Sequence, residues 1–346
     1  MNKLLLALLL FLLSFSWIKV TASDSCPASF PWKAQWINTE RCQSATNTWL
    51  IYRKSFAVTN VPNQLIARIA ADSKYWLWIN DQLVIFEGGL KRGPSPSGTY
   101  YDPVDIAPYL TKGSNTIAIL LWHFGKDGFS HINSGKAALL FEAIAPGLEI
   151  VSDASWQCAL YEAYQNTEAP FPNYRMPESN IRFDARQAIT NWNRTSFEGS
   201  LPGAVCVGKA GKAPFGDLVE RPIPQWKNSG LLSYVSVRES LRGDTLFCRL
   251  PYNAQITPYL KVEAEAGKTI HIRMDNYEGG SERNVRAEYI TREGEQEYES
   301  YGWMNGHEVY YIIPEGVKVL DVKYRETGYN TDLAGSFHCD DPFYDE

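Results

Sequence analysis

The sequence predicts an all-β protein made of two β-sandwich domains, and three observations carry that prediction. The run Tyr75-Trp-Leu-Trp-Ile79 has aromatic or branched residues at every position, which suits a strand covered on both faces. Asn80-Asp81 then supplies a turn, and Gln82-Leu-Val-Ile-Phe86 returns, so the pair reads as a hairpin. No helix-period stripe interrupts the stretch from Ala67 to Phe141, whose polar chemistry sits in two connections, Glu87–Pro94 and His123–His131. Rigid strands carrying polar, Gly-rich, aromatic loops are how sandwiches build binding sites.

A length of 346 residues favours two domains. With 45% hydrophobic and 21% charged residues, the chain has the composition of an ordinary core-forming protein. Its 11 Trp, 20 Tyr and 15 Phe fit sandwich cores and also sugar-stacking surfaces. Lys3 followed by a leucine run, with Val20-Thr-Ala22 as a small-residue cleavage site, marks residues 1–22 as a signal peptide and the mature protein as secreted or periplasmic. Trp17-Ile-Lys19 ends the apolar run before it reaches spanning length, so no membrane span is expected in the mature chain. Cleavage removes Lys3 and Lys19 and no acid, which takes the net charge from −6 to −8. An acidic chain without a Lys/Arg stripe disfavours nucleic acid as partner. Six cysteines enter an oxidising compartment, and spacing selects none of their pairings, although Cys26–Cys42 would staple a short N-terminal loop.

Taken in order, Thr48–Phe56 and Pro62–Ala70 read as strands, and Asn115–Trp122 as a buried one. Tyr100–Leu110 reads as a crossing segment in which Pro103 and Pro108 allow at most one helical turn. Pro170, Pro172 and Pro177 mark an irregular excursion, which an Asp184–Arg186 pair would pin. Glycines, prolines and lysines replace the periodic pattern over 207–229, the expected linker. Beyond it Thr257–Ala266 and Thr269–Asp275 alternate around Gly267-Lys268 and read as a hairpin, with further strands at Glu308–Pro314 and Val317–Tyr324.

Asp72–Asn80, Tyr101–Leu110 and Gly113-Ser-Asn115 resemble a galactose-binding-like jelly roll. Together with Trp122–His131 and Ser134-Gly-Lys136, they are similar to the N-terminal module of bacterial α-L-rhamnosidases, glycoside hydrolase family seventy-eight. Phe183-Asp-Ala-Arg186, Arg286–Gly294, Glu297–His307 and Arg325–Asn330 resemble later parts of the same enzymes, the last three their concanavalin-like sandwich. The resemblance implies a jelly-roll domain over 27–206, a linker over 207–229, a concanavalin-like sandwich over 230–339, and at 340–346 the start of an (α/α)₆ barrel. In that family the barrel holds the catalytic carboxylates. The expected function is therefore non-catalytic: binding of rhamnose-containing glycan and bracing of that barrel. The alternatives are an active α-L-rhamnosidase completed by a separately encoded barrel, or a free-standing lectin.

No catalytic residue is expected within these sandwiches. Inverting glycosidases need two carboxyls straddling the scissile bond, and Asp72, Glu87, Asp102, Glu299 and Glu308 form no such pair at the level of spacing. The expected sugar contacts are Trp122, His123, Lys126, Asp127 and His131 on one loop, with Arg92 on the Glu87-Gly-Gly loop able to fork onto paired oxygens. Packing of the first loop on the barrel is an equal alternative. No cofactor is expected. Asn80, Asp102 and Asp105 offer oxygen ligands of the sort that calcium takes in some related rhamnose-binding modules, yet in no recognisable calcium loop.

Overall fold

A computed structural model describes residues 31–42, 44–89, 98–128, 132–167, 180–277, 286–331 and 335–345. The body Lys33–Glu346 is one compact unit, and it is all-β. Its first ten strands are β1 (Gln35–Asn38), β2 (Thr48–Val58), β3 (Ile66–Asp72), β4 (Lys74–Ile79), β5 (Gln82–Gly89), β6 (Thr99–Asp105), β7 (Gly113–His123), β8 (Ala138–Ala145), β9 (Leu148–Val151) and β10 (Gln157–Leu160). Next come β11 (Tyr164–Gln165), β12 (Ile181–Asp184), β13 (Val205–Lys209) and β14 (Leu218–Glu220). The remainder is β15 (Ser236–Glu239), β16 (Thr245–Ala264), β17 (Thr269–Met274), β18 (Ala287–Ile290), β19 (Gly294–Glu299), β20 (Met304–Ile312) and β21 (Val317–Glu326).

In the first sandwich a layer ordered β13-β1-β8-β3-β6-β14, with β9 beside β8, faces a layer ordered β10-β2-β7-β4-β5. Alternation along the strands divides the apolar residues between two cores. Leu50 and Tyr52, Tyr75, Leu77 and Ile79, and Ile117, Ile119 and Leu121 point inward. Trp49 and Ile51, Trp76 and Trp78, and Leu120 and Trp122 point to the other side, where a second aromatic core covers them. Every residue of β4 is buried, as the doubly apolar run predicts. Asn80 and Asp81 both adopt positive φ, the geometry of a two-residue hairpin turn, and β4 and β5 pair as expected.

Several expectations shift. Glu87-Gly-Gly lies in β5 rather than in a flexible loop, and the glycines there are steric necessities. A Cβ on Gly88 would stand 2.4 Å from the Tyr75 ring, and Gly89 has φ +82°. The crossing segment begins as β6, and Ala107–Tyr109 adds a single 3-10 turn. The stretch expected to be a linker carries the end of β13 and all of β14, which pair with β1 and β6. Conversely, β11 and β12 join the sheet of the second sandwich, where β12 runs parallel to β18. The chain thus visits the second sandwich, returns to the first, and crosses again. Glycine and proline content at 207–229 conceals these short strands because their partners lie far away in sequence.

The second sandwich turns on β16, whose 20 residues belong to both layers. Its first part pairs with β15 and β20, continuing a layer ordered β11-β12-β18-β17-β20-β16-β15. After a register shift between Arg249 and Ala254, its last part pairs with β19 and β21. The expected hairpin of Thr257–Ala266 with Thr269–Asp275 does not form: β17 pairs with β18 and β20, in the opposite layer from the end of β16. Gly267-Lys268 therefore arches between layers. Ile256, Leu260, Ile270, Ile272, Val309 and Tyr311 fill the core between the layers.

Aromatic rings bind the two sandwiches to each other. Trp122 stacks on Trp49 at 4.5 Å, Trp49 on Tyr164 at 3.9 Å, Tyr164 meets Phe183 at 4.7 Å, and Phe183 stacks on Tyr298 at 5.2 Å. Trp76 meets Tyr301 at 4.7 Å. Fully burying one large apolar side chain is worth about 1.5–3 kcal/mol, so this chain of rings stabilises the contact between the two sandwiches.

Candidate functional site

The structure separates the six residues expected to contact sugar. Arg92 and His131 lie outside the described residues. Trp122 is 1% exposed, and its indole Nε1 donates to Asn47 Oδ1, as does that of Trp49. His123 is fully buried, with Nδ1 3.1 Å from the Asp72 carbonyl oxygen and 3.3 Å from its carboxylate. Neither ring offers a face to solvent, which corrects the expectation of a sugar-stacking surface at these two positions. They end β7, where inter-domain packing claims the face of Trp122 and Asp72 takes the His123 ring on the other. Lys126 and Asp127 are exposed, and Asp127 Oδ1 accepts bonds from the Asn133 backbone and side-chain nitrogens.

Glu87, Asp102, Glu299 and Glu308 each have a charged partner, and Asp72 has His123. Lys74 Nζ stands 2.9 Å from Glu87 Oε1, both side chains 1% exposed, and the ammonium lies 5.7–6.0 Å from the rings of Trp122, Phe124 and Trp303. Asp102 lies 2.6 Å from Arg221 Nε and accepts from the Tyr75 hydroxyl and Gly89 N–H. Burial, reinforced by Asp102, pushes the Tyr75 hydroxyl well above the usual tyrosine range. Glu299 is forked by Arg325, and Glu308 pairs with Arg238 at 3.3 Å. Burial works to raise the Asp72 pKa, but the hydrogen bonds from His123 and Ser134 prevail and lower it. Asp184 is likewise gripped by Arg186, as the Phe-Asp-Ala-Arg segment suggests.

The oxygens considered for calcium are spoken for separately. Asn80 serves Tyr109, Asn115 and Thr116, while Asp105 accepts from the backbone of Leu65 and Ala107. Among the described residues, no three His, Cys, Asp or Glu side chains group as metal ligands. Cys42, Cys158, Cys206 and Cys248 are free thiols, Cys339 Sγ donates to the Asp341 carbonyl oxygen at 3.3 Å, and Cys26 lies outside the described residues. Among the described residues no helix is long and apolar enough to cross a membrane.

A different surface brings aromatic rings and cations to solvent. Strand register places Arg238, Phe247, Tyr310 and Arg273 in one row across β15, β16, β20 and β17. Phe247 meets Tyr310 edge to face at 5.2 Å, Arg238 lies 4.8 Å from the Phe247 centroid, and Arg273 lies 5.6 Å from that of Tyr310. In the adjoining row Arg249 faces Glu308. Both rings are half-buried, and Arg238 and Arg249 are exposed. Period-2 alternation in Thr245–Arg249 and Glu308–Ile312 was the available signal for an outward face; which strands are neighbours was not readable. Elsewhere, between β15 and β21, a groove of about 560 Å³ is lined by Tyr234, Val237, Leu246, Ile313 and Leu320.

No family profile matches the sequence, and no curated protein matches it. Solved structures do. A family seventy-eight rhamnosidase of Bacillus sp. GL1 superposes with a TM-score of 0.77 at 16% identity, over 90% of this chain and 57% of its own. An α-L-rhamnosidase from Dictyoglomus thermophilum gives 0.66 at 21% identity, over 90% and 38%. The Streptomyces avermitilis α-L-rhamnosidase, solved with L-rhamnose, gives 0.63 at 17%, over 87% and 30%. The chain thus spans about half or less of these enzymes. Over that span it has the fold of the matched, β-sandwich part of family seventy-eight α-L-rhamnosidases.

Proposed function

We propose that this chain is the exported, non-catalytic part of an α-L-rhamnosidase-like glycoside hydrolase, which contacts rhamnose-containing glycan and braces a catalytic barrel. The observation that carries this reading is the superposition of 87–90% of the chain on three enzymes of that activity. The partners of Asp72, Glu87, Asp102 and Glu299 support it further: a carboxylate held in a buried or forked contact is poorly placed to donate or abstract a proton at a glycosidic oxygen. Export rests on the leucine run and Val20-Thr-Ala22.

The deciding experiment incubates the purified chain with an aryl α-L-rhamnoside and, separately, titrates it with a rhamnose-bearing oligosaccharide. The reading expects binding without release of the aryl alcohol. Turnover would instead favour an enzyme that works with carboxylates of these sandwiches or with a barrel supplied by another chain.

A further inference from the structure

We propose that β15 is a dimer edge: two copies of this chain pair antiparallel along it, with the two-fold axis at Val237. This goes beyond the glycan-contacting reading above and does not rest on it. β15 closes its layer, with β16 on one side and no strand of the described residues on the other. All four of its residues are exposed. Backbone register tells which groups are left open. Ser240 N–H donates to the Thr245 carbonyl oxygen, so these two form a hydrogen-bonded pair. Alternation along the ladder makes Arg238–Phe247 and Ser236–Arg249 pairs of the same kind. The N–H and C=O groups of Val237 and Glu239 therefore point away from β16. Val235 N–H turns back onto the Arg249 carbonyl oxygen, which ends the open run.

Those groups select the class of partner. A helix has already bonded its own backbone, so a helical barrel cannot satisfy them, whereas an extended strand can. A second copy of β15 is such a strand, because a two-fold axis maps an antiparallel edge onto itself. The candidate registers differ in what they oppose. Centring on Arg238 sets two guanidiniums against each other, which is unfavourable. Centring on Ser236 sets Arg238 against Tyr234, whose ring is committed to its own core at 8% exposure and whose hydroxyl meets that of Tyr311. Centring on Val237 avoids both. Val237 N–H of each copy then donates to the Val237 C=O of the other, and each Glu239 N–H donates to the partner's Val235 C=O. The Val237 side chains, each 50% exposed and each lining the groove beside β21, meet across the axis. Arg238 stands opposite the partner's Ser236 and keeps Glu308 at 3.3 Å, so no like charges are opposed.

Sedimentation equilibrium on the full chain between about 1 and 300 μM should show a monomer–dimer equilibrium. Val237→Lys and Val237→Glu should each weaken it at least about tenfold, because the axis brings each new charge against its own copy. Mixed in equal amounts, the two variants should associate at least about tenfold more tightly than either alone, since position 237 faces only position 237. Both variants alter an exposed side chain and should melt as the wild type does, which circular dichroism verifies. A wild type that stays monomeric overturns the proposal. So does a monomeric wild type that binds an added peptide of alternating lysine and valine, whose cations would meet Glu239 and Asp321 at the groove: the edge would then serve a different strand. Charge variants that associate as the wild type does, or a mixture no tighter than its components, remove the axis from Val237 and overturn it as well.

Discussion

Two sheet faces of this molecule carry the same ingredients to opposite ends. The outer face of β10-β2-β7-β4-β5 has Trp49, Trp76 and Trp122 with Lys74 among aromatic rings, and all four are almost fully buried. The outer face of β15, β16, β20 and β17 has Phe247 and Tyr310 with Arg238 and Arg273 beside them, and it meets solvent. The difference lies in what the chain lays over each. Tyr161, Tyr164, Trp192 and Tyr301 cover the first face, so its aromatics hold sandwiches together. None of the three buried cores includes Phe247 or Tyr310. Aromatic residues beside a cation announce a face, and only the fold decides whether that face is mortar or binding surface.

Mutation should separate the two faces most sharply. Trp49→Ala or Trp122→Ala should lower unfolding free energy by about 3–5 kcal/mol, because each opens a cavity in the inter-domain stack and leaves Asn47 Oδ1 short of a donor. Phe247→Ala should stay within about 1 kcal/mol, as suits a surface site. Urea unfolding of the three variants measures this, and a Phe247 loss as large as that of Trp122 would show that its face is also structural.

The buried ion pair gives an effect of nearly the same size. Lys74→Met removes the cation 2.9 Å from Glu87 Oε1 and should cost about 3–5 kcal/mol by stranding a carboxylate. The double replacement Lys74→Met with Glu87→Leu should recover most of that loss, since an apolar pair of similar volume restores the packing without a charge to bury. Failure of the double variant to recover would mean that the pair also orders the neighbouring rings. On the open face, by contrast, Arg238→Gln breaks an exposed pair with Glu308 and should cost no more than about 1 kcal/mol.

Much of this contrast was hidden in the sequence for a definite reason. Alternation located β16 and β17, and unbroken apolar runs located β4 and β7 and told that both faces of β4 were covered, because a strand's own residues carry its pattern. It could not choose partners. The end of β16 and β17 read as a hairpin and turned out to lie in opposite layers, since a short Gly-Lys connection serves an arch as well as a turn. The same blindness placed Trp122 on a surface: its face of β7 ends under residues that come some forty to eighty positions later, while His123 turns the other way onto Asp72. The Phe247–Tyr310 face went unnoticed because its four residues come from four strands. Local pairs fared better. Asp184 with Arg186 needed only neighbours in sequence.

A titration sharpens the comparison at lower cost in energy. Asp72 has a folded-state pKa below its ordinary value, held there by His123 and Ser134 against the pull of burial. A depressed carboxylate pKa stabilises the fold above the unfolded value, and that contribution is lost as pH falls through the folded one. The stack around β4 and β7 should therefore weaken below about pH 4. Following the urea midpoint with pH, the wild type should fall steeply there, and Asp72→Asn should start lower and fall less. An unchanged slope in the variant would assign the acid loss to other carboxylates.

The smallest effect is expected at the groove between β15 and β21. Val237 and Leu320 line it and are exposed by 50% and 38%. All four residues of β15 are exposed, so the strand is an edge with one paired side. Open edges and apolar patches favour weak association, which natural proteins restrain with charge, and Arg238 and Glu239 already flank Val237. Val237→Lys should shift unfolding free energy by no more than about 0.5 kcal/mol, since it neither vacates a core position nor strands a polar group. It should nevertheless reduce binding of a hydrophobic dye and any concentration-dependent increase in sedimentation coefficient. Light scattering and dye fluorescence on the pair of proteins decide the matter: if neither differs, the groove is too narrow or too polar at its Glu239 and Asp321 rim to act as an apolar patch, and the Phe247–Tyr310 face is left as the better candidate for contact with other molecules.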